Sequence, residues 1–143
     1  MDYLMAMDIS ASGMTTQRFR LDTVSLNLAN ASTTRSINGG PYRRQQVILG
    51  ERAMQTSFEQ MLERERGVRY AGVEVVQVQE DDTPPRLVLE PGHPDADARG
   101  FVRYPNINPV AEMVILLESV RLYEANVRAL NAGRDMALRA LEI

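Results

Sequence analysis

Catalysis needs particular side chains, and the candidates in this sequence gather in one short stretch, Glu90-Pro91-Gly92-His93-Pro94-Asp95-Ala96-Asp97. Histidine and carboxylates suit zinc or manganese, so a metal held by His93 with Glu90, Asp95 and Asp97 would define an intracellular metal-dependent hydrolase. Against this, His93 is the only histidine in the chain. Pro91, Gly92 and Pro94 describe a turn, and Asp95 and Asp97 would point to opposite sides of an extended segment. The stretch therefore reads as a structural turn. Nucleophilic catalysis has less support: there is no Cys, no Gly-x-Ser-x-Gly and no glycine-rich phosphate loop. The expectation is a protein without catalytic residues, cofactor, metal or small-molecule substrate.

Charge removes a second class. The 143 residues carry a net charge of -3, and all 16 cations are Arg. Arg43-Arg44 is the only adjacent basic pair, whereas a nucleic-acid binder needs a basic surplus or stripe. No nucleic-acid partner is expected. The N-terminal MDYLMAMDISASGM has neither a basic n-region nor an unbroken apolar run, so it does not read as a cleaved signal peptide. No stretch approaches the roughly 20 apolar residues that span a bilayer. The chain either stays in the cytoplasm or leaves by a route that cleaves no signal.

With chemistry set aside, the elements themselves become the candidate function. Met7, Met14, Leu21 and Leu28 recur every seventh position, which predicts a helix over residues 1–31 with a seam of heptad type. Gly13 weakens that helix by about 1 kcal/mol relative to Ala. Residues 32–41, ending in Gly39-Gly40-Pro41, predict a loop. Tyr42–Leu49, Gly72–Gln79 and Arg86–Glu90 read as three strands of one small antiparallel sheet. Between the first two, Met54, Phe58, Met61 and Leu62 fall at helical spacing within Glu51–Arg66, and Glu63-Arg64-Glu65-Arg66 reads as a solvated face with weak ion pairs. Residues 91–109, with Pro91, Pro94, Pro105 and Pro109, form an extended connector and no core.

The last helix has the clearest signals. Asn108 is a good N-cap, Pro109 suits the first helical position, and Glu112 lies in the first turn, where the helix dipole favours a carboxylate. Met113, Val120, Val127 and Leu141 make one heptad row, interrupted by Arg134; Leu116, Tyr123, Leu130 and Ala137 make the row three residues later. Arg134 reads either as a snorkelling side chain or as a register-setting pair with a carboxylate on a neighbouring subunit. A sheet of about 35 residues cannot cover two helices of about 30 each, so part of each stripe must meet the other helix or another chain. Periodicity leaves open a self-contained antiparallel pair and a polymer subunit.

Particular motifs favour the polymer. Asn27-Leu28-Ala29-Asn30, followed by Ser32, Thr33 and Thr34, resembles the signature of the flagellar rod and hook protein family. There Asn27 and Asn30 can bond backbone groups, and Asn30 or Ser32 can end the helix. Gly40-Pro41-Tyr42-Arg43-Arg44-Gln45, the connector from Glu90 to Pro109 and Tyr123-Glu124-Ala125-Asn126-Val127-Arg128-Ala129-Leu130-Asn131 resemble the branch that builds the proximal rod. Leu26 departs from the family where a first Asn of a pair is common, and Arg35 stands where hook and distal-rod members often have Gly.

The resemblance implies an α+β subunit with its long terminal helices in a coiled-coil layer and a small β-rich lobe between them. It divides the chain into 1–32, 33–108 and 109–143. It further implies uncleaved export by the flagellar type III apparatus and assembly into the periplasmic rod. The implied partners are copies of itself, other rod subunits and the junction protein that links the rod to the membrane ring. The expected assembly interface is Met7, Met14, Leu21 and Leu28 with Met113, Leu116, Val120, Tyr123, Val127, Leu130, Arg134, Ala137 and Leu141.

Overall fold

A computed structural model of the chain describes residues 3–52 and 72–142. Helix α1 runs Tyr3–Ala29, strands β1 Gln45–Glu51, β2 Val73–Glu80, β3 Arg86–Leu89 and β4 Phe101–Tyr104 follow, and helix α2 runs Pro109–Leu141. The architecture is α+β, with the helices at the two ends and the strands between them. At about 1.5 Å per residue, α2 is about 50 Å long. Among the described residues no helix is long and apolar enough to cross a membrane.

Helix α1 carries many hydroxyls for a helix, and it absorbs them internally. Ser10, Thr15, Thr23 and Ser25 donate to the carbonyls of Ala6, Ala11, Phe19 and Leu21, four residues back. The helix stops at Ala29, short of the expected residue 31, because Asn30 turns the chain. Its Nδ2 donates to Leu26 O at 2.9 Å, while its Oδ1 accepts from Thr33 Oγ1 at 3.1 Å. At the other end of the chain, Asn108 Oδ1 accepts from Val110 N and Ala111 N, with Pro109 at the first helical position.

The two helices pack antiparallel within one chain. A Cβ added at Gly13 would lie 2.8 Å from Asn126 Nδ2, and one at Gly133 would lie 3.3 Å from Met7 Cγ. The helical cost of Gly13 is thus exchanged for close approach to α2.

The expected three-stranded sheet is instead two separate antiparallel pairs, β1–β2 and β3–β4. Pro84-Pro85 falls between β2 and β3, and proline cannot donate to a ladder, so the second pair starts afresh. Strand β4 lies inside the segment expected to be only a connector, and it pairs Phe101 with Leu89 through Tyr104 with Arg86. Its Val102 is wholly buried, so this segment does contribute to a core. In the first pair the register shifts between Ile48 and Leu49, whose partners are Gln77 and Val75. Val76 is the extra residue and covers Gly50, where an added Cβ would meet Val76 Cγ2 at 2.5 Å. The helix expected across Glu51–Arg66 lies, beyond Arg52, outside the described residues.

The β1–β2 pair lies along α1. Val73 N donates to Ser12 Oγ at 3.1 Å, Arg52 pairs with Asp8, and a Cβ on Gly72 would strike Ser12 Oγ. Apolar burial is sparse: Val24 and Val102 are the fully buried hydrophobics among the described residues, against seven buried polar or charged ones.

Candidate assembly interface

The seam between the helices is small and polar. Of the residues that α1 buries, Ser12 and Thr16 lie toward the β1–β2 pair, whereas Asn27 meets Glu112 of α2; α2 itself buries Glu112, Ser119 and Gly133. Glu112, Ser119, half-buried Asn126 and Gly133 are spaced by seven, so they form one heptad row. That row is one position away from the apolar row starting at Met113. The pair therefore approaches closely through small side chains and leaves much of its large apolar surface outside.

One end of this seam is closed by a polar node around the Asn27 of the family motif. Asn27 and Glu112 are each 1% exposed. Asn27 Nδ2 donates to Gln45 O at 2.9 Å and to Glu112 Oε2 at 3.1 Å, and its Oδ1 accepts from Gln45 N at 2.9 Å and Tyr42 OH at 3.1 Å. Arg44 Nε completes the node on Glu112 Oε1 at 2.6 Å. One amide thus joins α1, the start of β1 and the first turn of α2. Burial pushes the Tyr42 phenol pKa above its ordinary value, and the carboxylates of Glu112 and Glu80 push it further up. A buried charge pair of this kind is costly to break from one side, because the remaining partner is left uncompensated.

Farther along the seam, Gln17 Oε1 is buried with no hydrogen-bond partner among the described residues. A satisfied node at one end and an orphaned amide oxygen in the middle make the pair well registered but weakly cemented.

The stretch first considered for metal chemistry is occupied with building turns. His93 Nδ1 accepts from Asp95 N at 3.0 Å, and its ring meets Tyr104 edge to face with centroids 6.3 Å apart. Asp95 accepts from Thr34 Oγ1 at 2.8 Å and pairs with Arg35 at 2.5 Å, tying the connector to the loop after α1. Asp97 Oδ1 accepts from Arg99 N and Phe101 N, and Glu90 accepts from Tyr104 OH at 2.9 Å. That bond to Glu90 is the main cause raising the Tyr104 pKa. Among the described residues no group of three or more His, Cys, Asp or Glu is placed to hold a metal.

The residues expected at the interface divide into two sets. Met7, Met14, Leu21, Leu28, Leu116, Val120, Val127, Leu130 and Ala137 are half-buried, whereas Met113, Tyr123, Arg134 and Leu141 are exposed. Of the motif residues, Asn27, Asn30, Thr33 and Asn126 make the contacts above. Leu28 is half-buried and Ala29 exposed; Glu124 forms an exposed pair with Arg128 at 3.4 Å, and Ala125 is exposed. Sequence reasoning missed the row of Glu112, Ser119 and Gly133, and the role of Arg44. It also missed Val110, Val114 and Leu117, which extend the patch around Met113 and are each more than half exposed.

The sequence matches two families of flagellar rod protein, one at each end of the chain. The family described as "Flagella basal body rod protein" matches residues 7–35, and "Flagellar basal body rod FlgEFG protein C-terminal" matches residues 98–143. Among curated proteins, the "Flagellar basal-body rod protein FlgC" of Bacillus subtilis is 46% identical, over 96% of this chain and 95% of its own length. Proteins of the same name from Escherichia coli O6:H1 and Aquifex aeolicus are 39% and 38% identical, over 95% and 99% of this chain and 93% and 97% of their own lengths. The chain belongs to the FlgC family of flagellar basal-body rod proteins.

Proposed function

We propose that the chain is a non-enzymatic subunit of the proximal rod, that it polymerises through the outward faces of its two helices, and that the assembled helices carry torque. The observation that supports this reading most is the inverted pair: small and polar residues lie between α1 and α2, while Val110, Met113, Val114 and Leu117 face outward. A contiguous apolar patch on a helix is a site for another chain to cover. Heterologous contacts through such patches generate open helical growth, as a rod requires.

On this reading, residues 1–32 and 109–143 form the inner coiled-coil layer and 33–108 the outer lobe. Val120, Val127, Leu130 and Ala137, with Met7, Met14, Leu21 and Leu28, face both the partner helix and neighbouring subunits, and Tyr123, Arg134 and Leu141 face neighbours alone. The neighbours are copies of the chain, other rod subunits and the junction protein to the membrane ring. The subunit reaches the periplasm through the flagellar type III apparatus without cleavage. Function then rests on stiffness and involves no turnover, cofactor or metal.

Locating the chain by electron microscopy of purified basal bodies tests the assignment; density in the proximal rod is the expected result. Met113→Asp and Leu117→Asp should abolish motility while leaving the circular dichroism of the isolated subunit unchanged. Normal rods in both variants would remove the outward patch from the interface.

A further inference from the structure

Asparagine followed by glycine is the dipeptide in which a side-chain amide reacts most readily with the main chain. The backbone nitrogen of the next residue, once it has lost its proton, attacks Cγ of the asparagine; the bond from Cγ to the side-chain nitrogen breaks, ammonia leaves, and a five-membered succinimide closes. Water then opens the ring at either carbonyl, giving aspartate or, with an extra methylene in the main chain, isoaspartate. The balance is one water in and one ammonia out, with no redox partner and no cofactor. A side chain on the following residue crowds the attack, so glycine is the permissive neighbour. Of the seven Asn in this chain, Asn38 is the one followed by Gly. The side chains of Asn27, Asn30, Asn108 and Asn126 are engaged in hydrogen bonds on the helices or at their ends, whereas Asn38 is exposed in the loop after α1.

That loop is closed on itself. Ser36 N donates to Gly40 O at 2.7 Å and Gly39 N donates to Ser36 O at 3.0 Å, so Ile37 and Asn38 are the central residues of a tight turn. Gly39 follows with φ of +79°, as a type I turn with a glycine bulge requires. The bond from Gly39 N matters chemically. This nitrogen must give up its proton and swing onto Asn38 Cγ, and while it donates to Ser36 O it does neither. The closed turn is thus the protected form, and the reaction runs through the opened one. Two ties to the connector, Thr34 Oγ1 on Asp95 Oδ2 at 2.8 Å and Arg35 on Asp95 at 2.5 Å, hold the arm that leads into the turn. Nothing among the described residues shields the tip: no atom would lie within 4 Å of a Cβ on Gly39 or Gly40, so water reaches the ring once it forms.

We propose that Asn38-Gly39 is a site of non-enzymatic modification, at which Asn38 converts through a succinimide to isoaspartate and aspartate, and that the Gly39 N to Ser36 O bond, supported by Asp95, sets the rate. The isoaspartate product does not regain the starting turn, because its extra methylene lies in the main chain between the two bonded groups. Either product adds a carboxylate between Arg35 and Arg43. The inference goes beyond the rod reading and does not depend on it.

The purified full chain is incubated at mildly alkaline pH, in buffer and in urea, and sampled over several weeks. Trypsin, cutting after Arg35 and Arg43, releases residues 36–43 as one peptide for mass spectrometry. In the wild-type chain this peptide should gain one mass unit, split into two chromatographic products and accept methyl groups from protein isoaspartyl methyltransferase; the Asn38→Gln chain should do none of these. Conversion should be at least about tenfold faster in urea, where Gly39 N is freed. In buffer Asp95→Ala should raise the rate several-fold, and Thr34→Val, which removes one tie alone, by less. An unchanged peptide from the wild-type chain in buffer would overturn the site, whatever happens in urea. Equal rates in buffer and urea would overturn the protecting role of the turn, and wild-type rates in both Asp95→Ala and Thr34→Val would overturn the part given to Asp95.

Discussion

Replacing Asn27 tests the polar node most sharply, because alanine and aspartate perturb it in different ways. Alanine deletes four hydrogen bonds at a site that is 1% exposed. Tyr42 can turn its hydroxyl toward water, but Gln45 N and Gln45 O are left in place, and Glu112 loses a donor. Each buried group left without a partner costs about 1–3 kcal/mol, so Asn27→Ala should cost about 3–5 kcal/mol. That is a large part of the roughly 5–15 kcal/mol typical of a domain. Asn27→Asp keeps the shape but replaces the donor with an oxygen that faces Gln45 O at 2.9 Å and Glu112 Oε2 at 3.1 Å. At about pH 8 this variant should be at least as unstable as alanine, since two adjacent carboxylates cannot both remain charged cheaply. Lowering the pH toward about 5 supplies a shared proton, so aspartate should recover relative to alanine. Urea denaturation of the isolated subunit, followed by circular dichroism at several pH values, measures both effects. An alanine loss under about 1 kcal/mol, or an aspartate variant as stable as wild type at pH 8, would refute the node as the lock of the helical pair.

Gln17→Leu removes the orphaned amide oxygen and should stabilise the isolated subunit by about 1–2 kcal/mol, read as a higher urea midpoint with unchanged slope. Tyr42 has a raised pKa, so its contribution is fully present below the ordinary phenol value near about 10 and is lost as pH rises through the higher folded value. Stability should therefore fall at alkaline pH, and Tyr42→Phe should flatten that fall in a pH series of melting temperatures. Arg134→Leu should leave export intact but reduce rod assembly; swimming at wild-type speed would discard the pairing with a neighbour. Zinc or manganese should leave the melting temperature unchanged, and a shift abolished by His93→Ala would revive the metal reading.

The helices were legible because their signals are local. The Asn108 cap, Pro109 and the heptads all lie within a few residues of what they control. The row of α2 that faces α1 is less legible, because Glu112, Ser119, Asn126 and Gly133 carry no apolar signal, although Met7 of the apolar row does meet Gly133. Gly13 is the available clue: a glycine inside a helix marks close approach, and a small or polar row recurs at the same spacing as the apolar one. Asn27 was recognised as a motif, but its partners are far away in sequence, at Gln45 and Glu112, and no periodicity reports such a meeting. Strand β4 was hidden by brevity, since only Val102 of its four residues is buried. The division into two sheets follows from Pro84-Pro85, whose missing donors are visible in the sequence and stand between β2 and β3.

The hydrogen bond from Arg52 N to Gly72 O, 2.8 Å long, has one more consequence. It places Arg52 and Gly72 side by side at the end of the β1–β2 pair, so whatever length of chain lies between them begins and ends at one doorway. For a flexible closed segment in general, doubling the length costs only about 0.6 kcal/mol in closure entropy. A change of length between these two residues is therefore cheap for the rest of the fold, because the contacts of α1 with α2 at Gly13 and Gly133 lie elsewhere.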